Sequence, residues 1–378
     1  VVATYGRGFW VLDDITPLRT LSTQVTGTPL HLFPPRNAYR FRTPEPHFVK
    51  GEDPAAGFNP PDGTPIDFWL KQSASDTSKR TAANASPKRA AGDTTKRSAA
   101  DSSQRSAADS GKSDSVTITI SDASGATVRT LHAAAKGGMT RMWWDLRGER
   151  TPEAKLRTSP QYAPWVKIPA EGQTAPGVGR VSTLVPPGTY TVTLAYKGAQ
   201  EKQPLVVLKD PASGGSDEEI KAQMELVRAL TTDIDTAVTT INRLELIRSQ
   251  LGGIKTVLSG DDKAADVRKQ SDSLDAKLAA IEAKLFQTRV TGRGQDLIRW
   301  PMRVTEQLLY LQQSLTGSDT RPTQPQQQVS QLLHTELMAV KSEADQAVAK
   351  DVAAFNDLLQ GRKYQGIITS APEEKAHP

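Results

Sequence analysis

Five histidines, His31, His47, His132, His334 and His377, are the residues best suited to proton transfer or metal ligation. A zinc site would need two of them one helical turn apart, or one beside a carboxylate at ligand spacing. They are scattered without such a pair, so no metal site is expected. His334 borders an apolar helical stripe and reads as a satisfied or exposed side chain. Cysteine is absent, which removes thiolate ligands, disulfides and a cysteine nucleophile together. No G-x-S-x-G elbow, P-loop or H-E-x-x-H pattern occurs. The acid pairs Asp13/Asp14, Glu52/Asp53 and Asp261/Asp262 are adjacent in sequence, point different ways, and suit solvated turns better than a glycosidase pair. No catalytic, cofactor-binding or metal-binding residue is therefore assigned, and no cofactor is expected.

Three residues remain as candidate ligand or interface contacts: Arg7, Trp10 and Trp144. Arg7 lies in the strand-like run Val1 to Leu12, close to Asp13 and Asp14. It would either stitch that strand into its sheet through a carboxylate or aromatic, or line a rim and grip an anionic ligand. In Met142-Trp143-Trp144-Asp145, alternation puts the two indoles on opposite faces of a strand. One is then core and the other is available to stack on a sugar or a partner.

The elements that would position these residues divide the 378-residue chain into two or three parts. The hydrophobic share of 37% is low for a compact globule, and so is the mean hydropathy of −0.47. A formal charge of +5 spread along the chain gives no reason to invoke nucleic acid. No run of about 18 apolar residues encodes a membrane span.

Residues 1–30 read as one strand and an exit linker, interrupted at Gly6-Arg7-Gly8 and ended by Asp13-Asp14-Ile15-Thr16-Pro17. Residues 31–211 carry about seven short alternating strands with turn punctuation, among them Thr64–Lys71, Ser115–Ser121, Gly138–Asp145 and Gly188–Tyr196. That spacing predicts an immunoglobulin-like β-sandwich, with Trp69, Trp143, Leu146 and Tyr190 as its heaviest core residues. Asp122-Ala123-Ser124-Gly125 predicts a hairpin. The degenerate Lys-Arg-Ala-Ala repeat over 72–114 has almost no apolar side chains and is expected to be disordered, as is the tail 371–378.

Over 212–370 the apolar period changes from 2 to about 3.6. Capping-box patterns at Ser216/Glu219 and Thr323/Gln326 start two long helices, Leu251-Gly252-Gly253 is expected to end the first, and a third helix begins near Pro301. Four amphipathic stripes predict an antiparallel four-helix bundle or a long helical hairpin, with homodimerisation through the helices as the competing outcome.

The blocks Thr4-Tyr5-Gly6-Arg7-Gly8-Phe9-Trp10-Val11-Leu12-Asp13-Asp14-Ile15, His31-Leu32-Phe33, Gly51-Glu52-Asp53-Pro54-Ala55-Ala56-Gly57 and Trp143-Trp144-Asp145-Leu146-Arg147 resemble the C-terminal part of a bacterial family. These are the exported sortilin-type, Asp-box-repeat β-propeller proteins, often labelled glycosyl hydrolase or exo-sialidase-like. The resemblance implies an extracytoplasmic protein with propellers upstream, and residues 1–12 as a closing propeller strand. The upstream propeller of the same polypeptide would be the first partner, with a protein or carbohydrate ligand as a further one. On this reading the segment is a non-catalytic scaffold and interaction region. The alternatives are an accessory part of a sialidase-like glycoside hydrolase whose active site lies upstream, and an adhesin-like binding module.

Overall fold

A computed structural model describes residues 2–4, 8–10, 13–42, 61–71, 115–160, 163–290 and 296–369. The repeat 72–114, the Gly51–Gly57 block, Arg7 and the tail 371–378 lie outside the described residues. Two units form, one from residues 1–147 with 187–210 and the other from 148–186 with 211–377.

In the first unit, β1 (Val2–Thr4) pairs antiparallel with β2 (Gly8–Trp10) in the register Val2↔Trp10. The expected single propeller strand over residues 1–12 is thereby corrected: its two halves pair with each other. Two short helices follow, α1 (Thr16–Thr20) and α2 (Thr23–Gly27), and Asp14 Oδ1 accepts the Thr16 N–H to start the first. The remaining strands are β3 (Leu30–Leu32), β4 (Ala38–Tyr39), β5 (Thr64–Leu70), β6 (Ser115–Ser121), β7 (Thr127–Ala134) and β8 (Gly138–Trp144). The long pair β11 (Gly188–Tyr196) and β12 (Ala199–Leu208) completes the unit. They make a five-stranded sheet ordered β4-β12-β11-β6-β7 and a three-stranded sheet ordered β3-β5-β8.

The two sheets do not stack as an immunoglobulin-like sandwich, which corrects that expectation. β4 pairs parallel with the end of β12, and just upstream the backbone of Leu32 in β3 is bonded by β12 side chains. Leu32 N–H donates to Glu201 at 2.7 Å, and Gln203 Nε2 donates to Leu32 C=O at 3.3 Å. Chain order 3-then-4 therefore runs along one edge of β12 and joins the sheets side by side. The result is a mixed α/β protein with a curled half-barrel sheet.

Alternation decides the inner face: Ile66, Phe68 and Leu70 of β5 are buried, as are Val116, Ile118 and Ile120 of β6. Asp67 faces the other way and is buried as well, because Arg141 lies directly opposite it in β8. The guanidinium grips both Asp67 oxygens at 2.8 and 3.0 Å and reaches the Asp14 C=O at 3.0 Å. A bidentate pair of this kind both fixes register and anchors the α1 approach to the sheet. The hairpin at 122–125 forms around Asp122 Oδ1, which accepts the N–H groups of Ser124 and Ala126 at 2.9 and 3.1 Å.

The second unit is built on α3 (Asp217–Val257), capped by a reciprocal pair: Glu219 N–H to Ser216 Oγ, and Ser216 N–H to Glu219 Oε2. Its buried stripe includes Ile220, Val227, Ile234, Ile241, Leu244 and Leu251, each contributing about 1.5–3 kcal/mol of apolar transfer. Packed on it are α4 (Ala265–Leu285), α6 (Val304–Thr316) and α7 (Gln324–Gln346); α5 is a short turn at Asp296–Arg299. A π-helical stretch, Ala347–Val352, leads from α7 into α8 (Ala353–Gly361).

Gly252 and Gly253 do not end α3. The helix runs on to Val257, and Arg268 from the next helix takes the trailing carbonyls of Leu258 and Ser259, each at 2.8 Å.

The expected antiparallel four-helix bundle is not what forms. One 41-residue helix carries three shorter neighbours, and part of its cover is not helical. Residues 148–186 belong to this unit rather than to the sheets. They contain the ribbon of β9 (Lys155–Leu156) and β10 (Gln173–Thr174), and Ala154, Ala175 and Val178 are buried in the helical core. Among the described residues no helix is long and apolar enough to cross a membrane.

Candidate functional site

Of the three contact candidates, Arg7 lies outside the described residues, and Trp10 is placed only by its backbone, in β2. Trp144 is fully buried in the first unit. Its indole N–H donates to Arg147 C=O at 2.9 Å and its ring meets Tyr190 edge-on, with centroids 5.7 Å apart. Trp144 is therefore core, and the half-buried indole is its neighbour Trp143. Trp144, expected as a contact, is turned inward by the pleat opposite Thr64, while Trp143, expected in the core, is half-buried.

Chemistry-bearing side chains meet instead in the second unit, at two places that motif reasoning did not find. The first is a charged cluster under the segment 156–160. Glu245 and Arg248 stand one turn apart on α3, and Glu282 comes from α4; the three side chains are 1%, 7% and 1% exposed. Arg248 Nη1 bonds Glu245 Oε1 at 2.9 Å and also Glu282 Oε2, while its Nε donates to Asp275 Oδ1 at 2.9 Å. Glu245 Oε2 accepts the N–H groups of Arg157 and Thr158, and its Oε1 accepts the Thr158 hydroxyl at 2.7 Å.

Glu282 Oε1 is buried with no hydrogen-bond partner among the described residues. Burial, reinforced by the neighbouring Glu245 charge and opposed by Arg248, pushes the Glu282 carboxyl well above its ordinary range. A cavity of about 50 Å³ adjoins the cluster, bordered by Thr158, Ser159, Pro160 and Thr288. It has room for a few waters and none for a pyranose ring.

The second place is an open groove of about 830 Å³ between one stripe of α3 (Ala222, Leu226, Ala229) and the first turns of α7 (Gln327, Gln331). His334 and Asp233 close one side of it, with Nδ1 to Oδ1 at 2.8 Å. A carboxylate only accepts, so Nδ1 carries the proton and Nε2 is the basic nitrogen of the neutral ring. Arg321 lies at the same groove.

The other polar groups of interest act as fasteners. His31 Nδ1 lies 3.2 Å from Glu201, and Asp261 Oδ1 caps the turn at Lys263. Glu306, raised by burial and held down by N–H donors, accepts from Gln287 at 2.7 Å and Arg303 at 2.9 Å. Among the described residues no three His, Asp or Glu side chains are arranged to hold a metal ion.

The sequence carries only a partial signal for the cluster, the position of its charges, and not which of them meet. Glu245 and Arg248 are charges set within the apolar stripe of Ile241, Leu244 and Leu251, and Glu282 sits between Leu278 and Leu285. Charges on a core-facing stripe need internal partners.

No protein-family model matches the chain. No curated protein and no solved structure matches it either.

Proposed function

We propose that this chain is a non-catalytic scaffold and interaction region of an exported protein of the sortilin-type, Asp-box propeller class, whose helical unit offers the α3–α7 groove to a partner. The observation that carries this reading is how the strongest ionisable groups are used. Arg141 with Asp67 joins two strands and the chain before α1. Glu245 with Arg248 joins two helices to a loop. Each holds separate elements together.

The alternative of an accessory part of a glycoside hydrolase places the active site upstream; within this chain the one buried acid pair, Glu245 and Glu282 among the described residues, does not serve as such a site. Their cavity of about 50 Å³ excludes a sugar, and Glu245 is saturated with donors. The groove, by contrast, is broad and open, and lined on α3 by Ala222, Leu226 and Ala229 together with Glu225, Thr232 and Asp233, and on α7 by hydrogen-bonding residues, a mixed surface suited to binding a partner. The test is to assay the whole chain on a panel of aryl glycosides. No turnover is expected; turnover that Glu282→Gln or His334→Ala removes would overturn the proposal.

A further inference from the structure

We propose that Glu245 and Glu282 form a proton-operated latch that clamps residues 157–160 over the small cavity and releases them when the shared proton is lost. The argument begins with a charge count. Two carboxylates, each 1% exposed, face one guanidinium that is 7% exposed. Asp275, at the outer side of Arg248, is 38% exposed and partly solvated. An uncompensated charge so deeply buried is costly, so the closed form holds one proton between the two acids.

Hydrogen bonding decides which acid carries it. Both oxygens of Glu245 are occupied by donors, from Arg157, Thr158 and Arg248, which leaves neither free to carry a proton of its own. Glu282 receives only Arg248, at Oε2, and its Oε1 has no partner among the described residues. The proton therefore resides on Glu282, in agreement with the upward displacement of its titration. The remaining charged groups nearby are few. Lys155 and Arg157 are the segment's own cations, and on α4 the half-exposed Lys277 and Lys284 are engaged by Asp351 and Glu343. Ala279, Ala283, Phe286 and Thr288 complete the wall and do not titrate.

When Glu282 ionises, two buried carboxylates compete for Arg248. The relief that moves no helix is to admit water by lifting the loop segment off the pair, which breaks the three bonds of Glu245 to Arg157 and Thr158. The upstream end of the segment stays fastened, because Asn242 takes the Lys155 N–H at 2.8 Å and donates to Glu153 C=O at 2.8 Å. Residues 157–160 would then lift about this hinge and open the cavity above Arg248.

The experiment is amide hydrogen exchange on the full chain between pH 5 and 9, with rates referred to intrinsic exchange. Protection at Arg157 and Thr158 is expected to fall by about tenfold per pH unit between the ordinary carboxyl range and the raised Glu282 value. In Glu282→Gln, which keeps the shape and removes the charge, protection should be high and independent of pH. Protection that is flat in the unmodified chain, or that falls equally in Glu282→Gln, overturns the latch. Infrared difference spectroscopy of the unmodified chain gives a second readout that needs no variant. A carboxylic-acid carbonyl band should disappear over the same pH range, and its absence at pH 5–6 equally overturns the proposal.

Discussion

Thr158 and Glu245, 87 residues apart, are joined twice: the Thr158 N–H donates to one carboxylate oxygen at 2.8 Å and its hydroxyl to the other at 2.7 Å. A loop threonine is thereby bound to the middle of the longest helix. Glu245→Ala leaves Arg248 and the Arg157 and Thr158 donors without their shared acceptor. Arg248 keeps Glu282 and Asp275, so urea unfolding should show the loss from the unpaired loop donors, about 1–3 kcal/mol. Thr158→Val removes one bond of the pair and should cost only about 1 kcal/mol.

The raised Glu282 carboxyl makes stability depend on pH in a defined direction. Below its ordinary value both folded and unfolded states are protonated and its full contribution is present. As pH rises from there, the unfolded state ionises first and stability falls by about 1.4 kcal/mol per pH unit. The fall continues until the folded group ionises too. Glu282→Gln should abolish that component of the slope in a series of denaturation curves, and a slope unchanged by the substitution would contradict the assignment.

Gly63 has φ +104°, and a Cβ placed on it would lie 1.9 Å from the carbonyl oxygen of Trp144. Gly63→Ala must therefore displace the β5–β8 pairing at Trp144. A loss of at least about 1–3 kcal/mol is expected, along with a change in near-UV circular dichroism from the Trp144–Tyr190 contact.

His334 is 57% exposed, so its pairing with Asp233 is worth at most about 1 kcal/mol. His334→Ala should leave the unfolding midpoint nearly unchanged. Loss of folding in this variant would show the pair to be structural, and would remove it as a probe of the groove.

Local chemistry was the legible part of the sequence. Ser216 with Glu219, Thr323 with Gln326, and Asp122 with its turn each act within four residues, and side-chain type alone specified them. What decided the architecture was not local. Nothing in the alternation of Leu30–Leu32 says that its backbone will be bonded by Glu201 and Gln203, so alternation alone points to facing sheets rather than to one curled sheet. The small apolar residues of 148–186 lie in a Pro- and Gly-rich stretch without period, and only the exposed flank of α3 gives them a place. The charged cluster was hidden for a related reason: Glu245, Arg248 and Glu282 look like solvated helix charges until α3 and α4 are brought together. The Trp143/Trp144 pair shows the remaining gap, since alternation separates two faces without saying which is inward.

The passage of the chain between its two units, at 147–148, 186–187 and 210–211, has a consequence for biogenesis. Residues 148–186 leave the ribosome before the helices that cover Ala154, Ala175 and Val178 exist. Those residues must wait in water while the β11–β12 hairpin is made and α3 is extended. No single cut separates the units either: a fragment that starts at 212 would expose the flank of α3 that 148–186 shields. The protein is interleaved, and either unit must be inherited, expressed or grafted with part of the other's stretch of sequence.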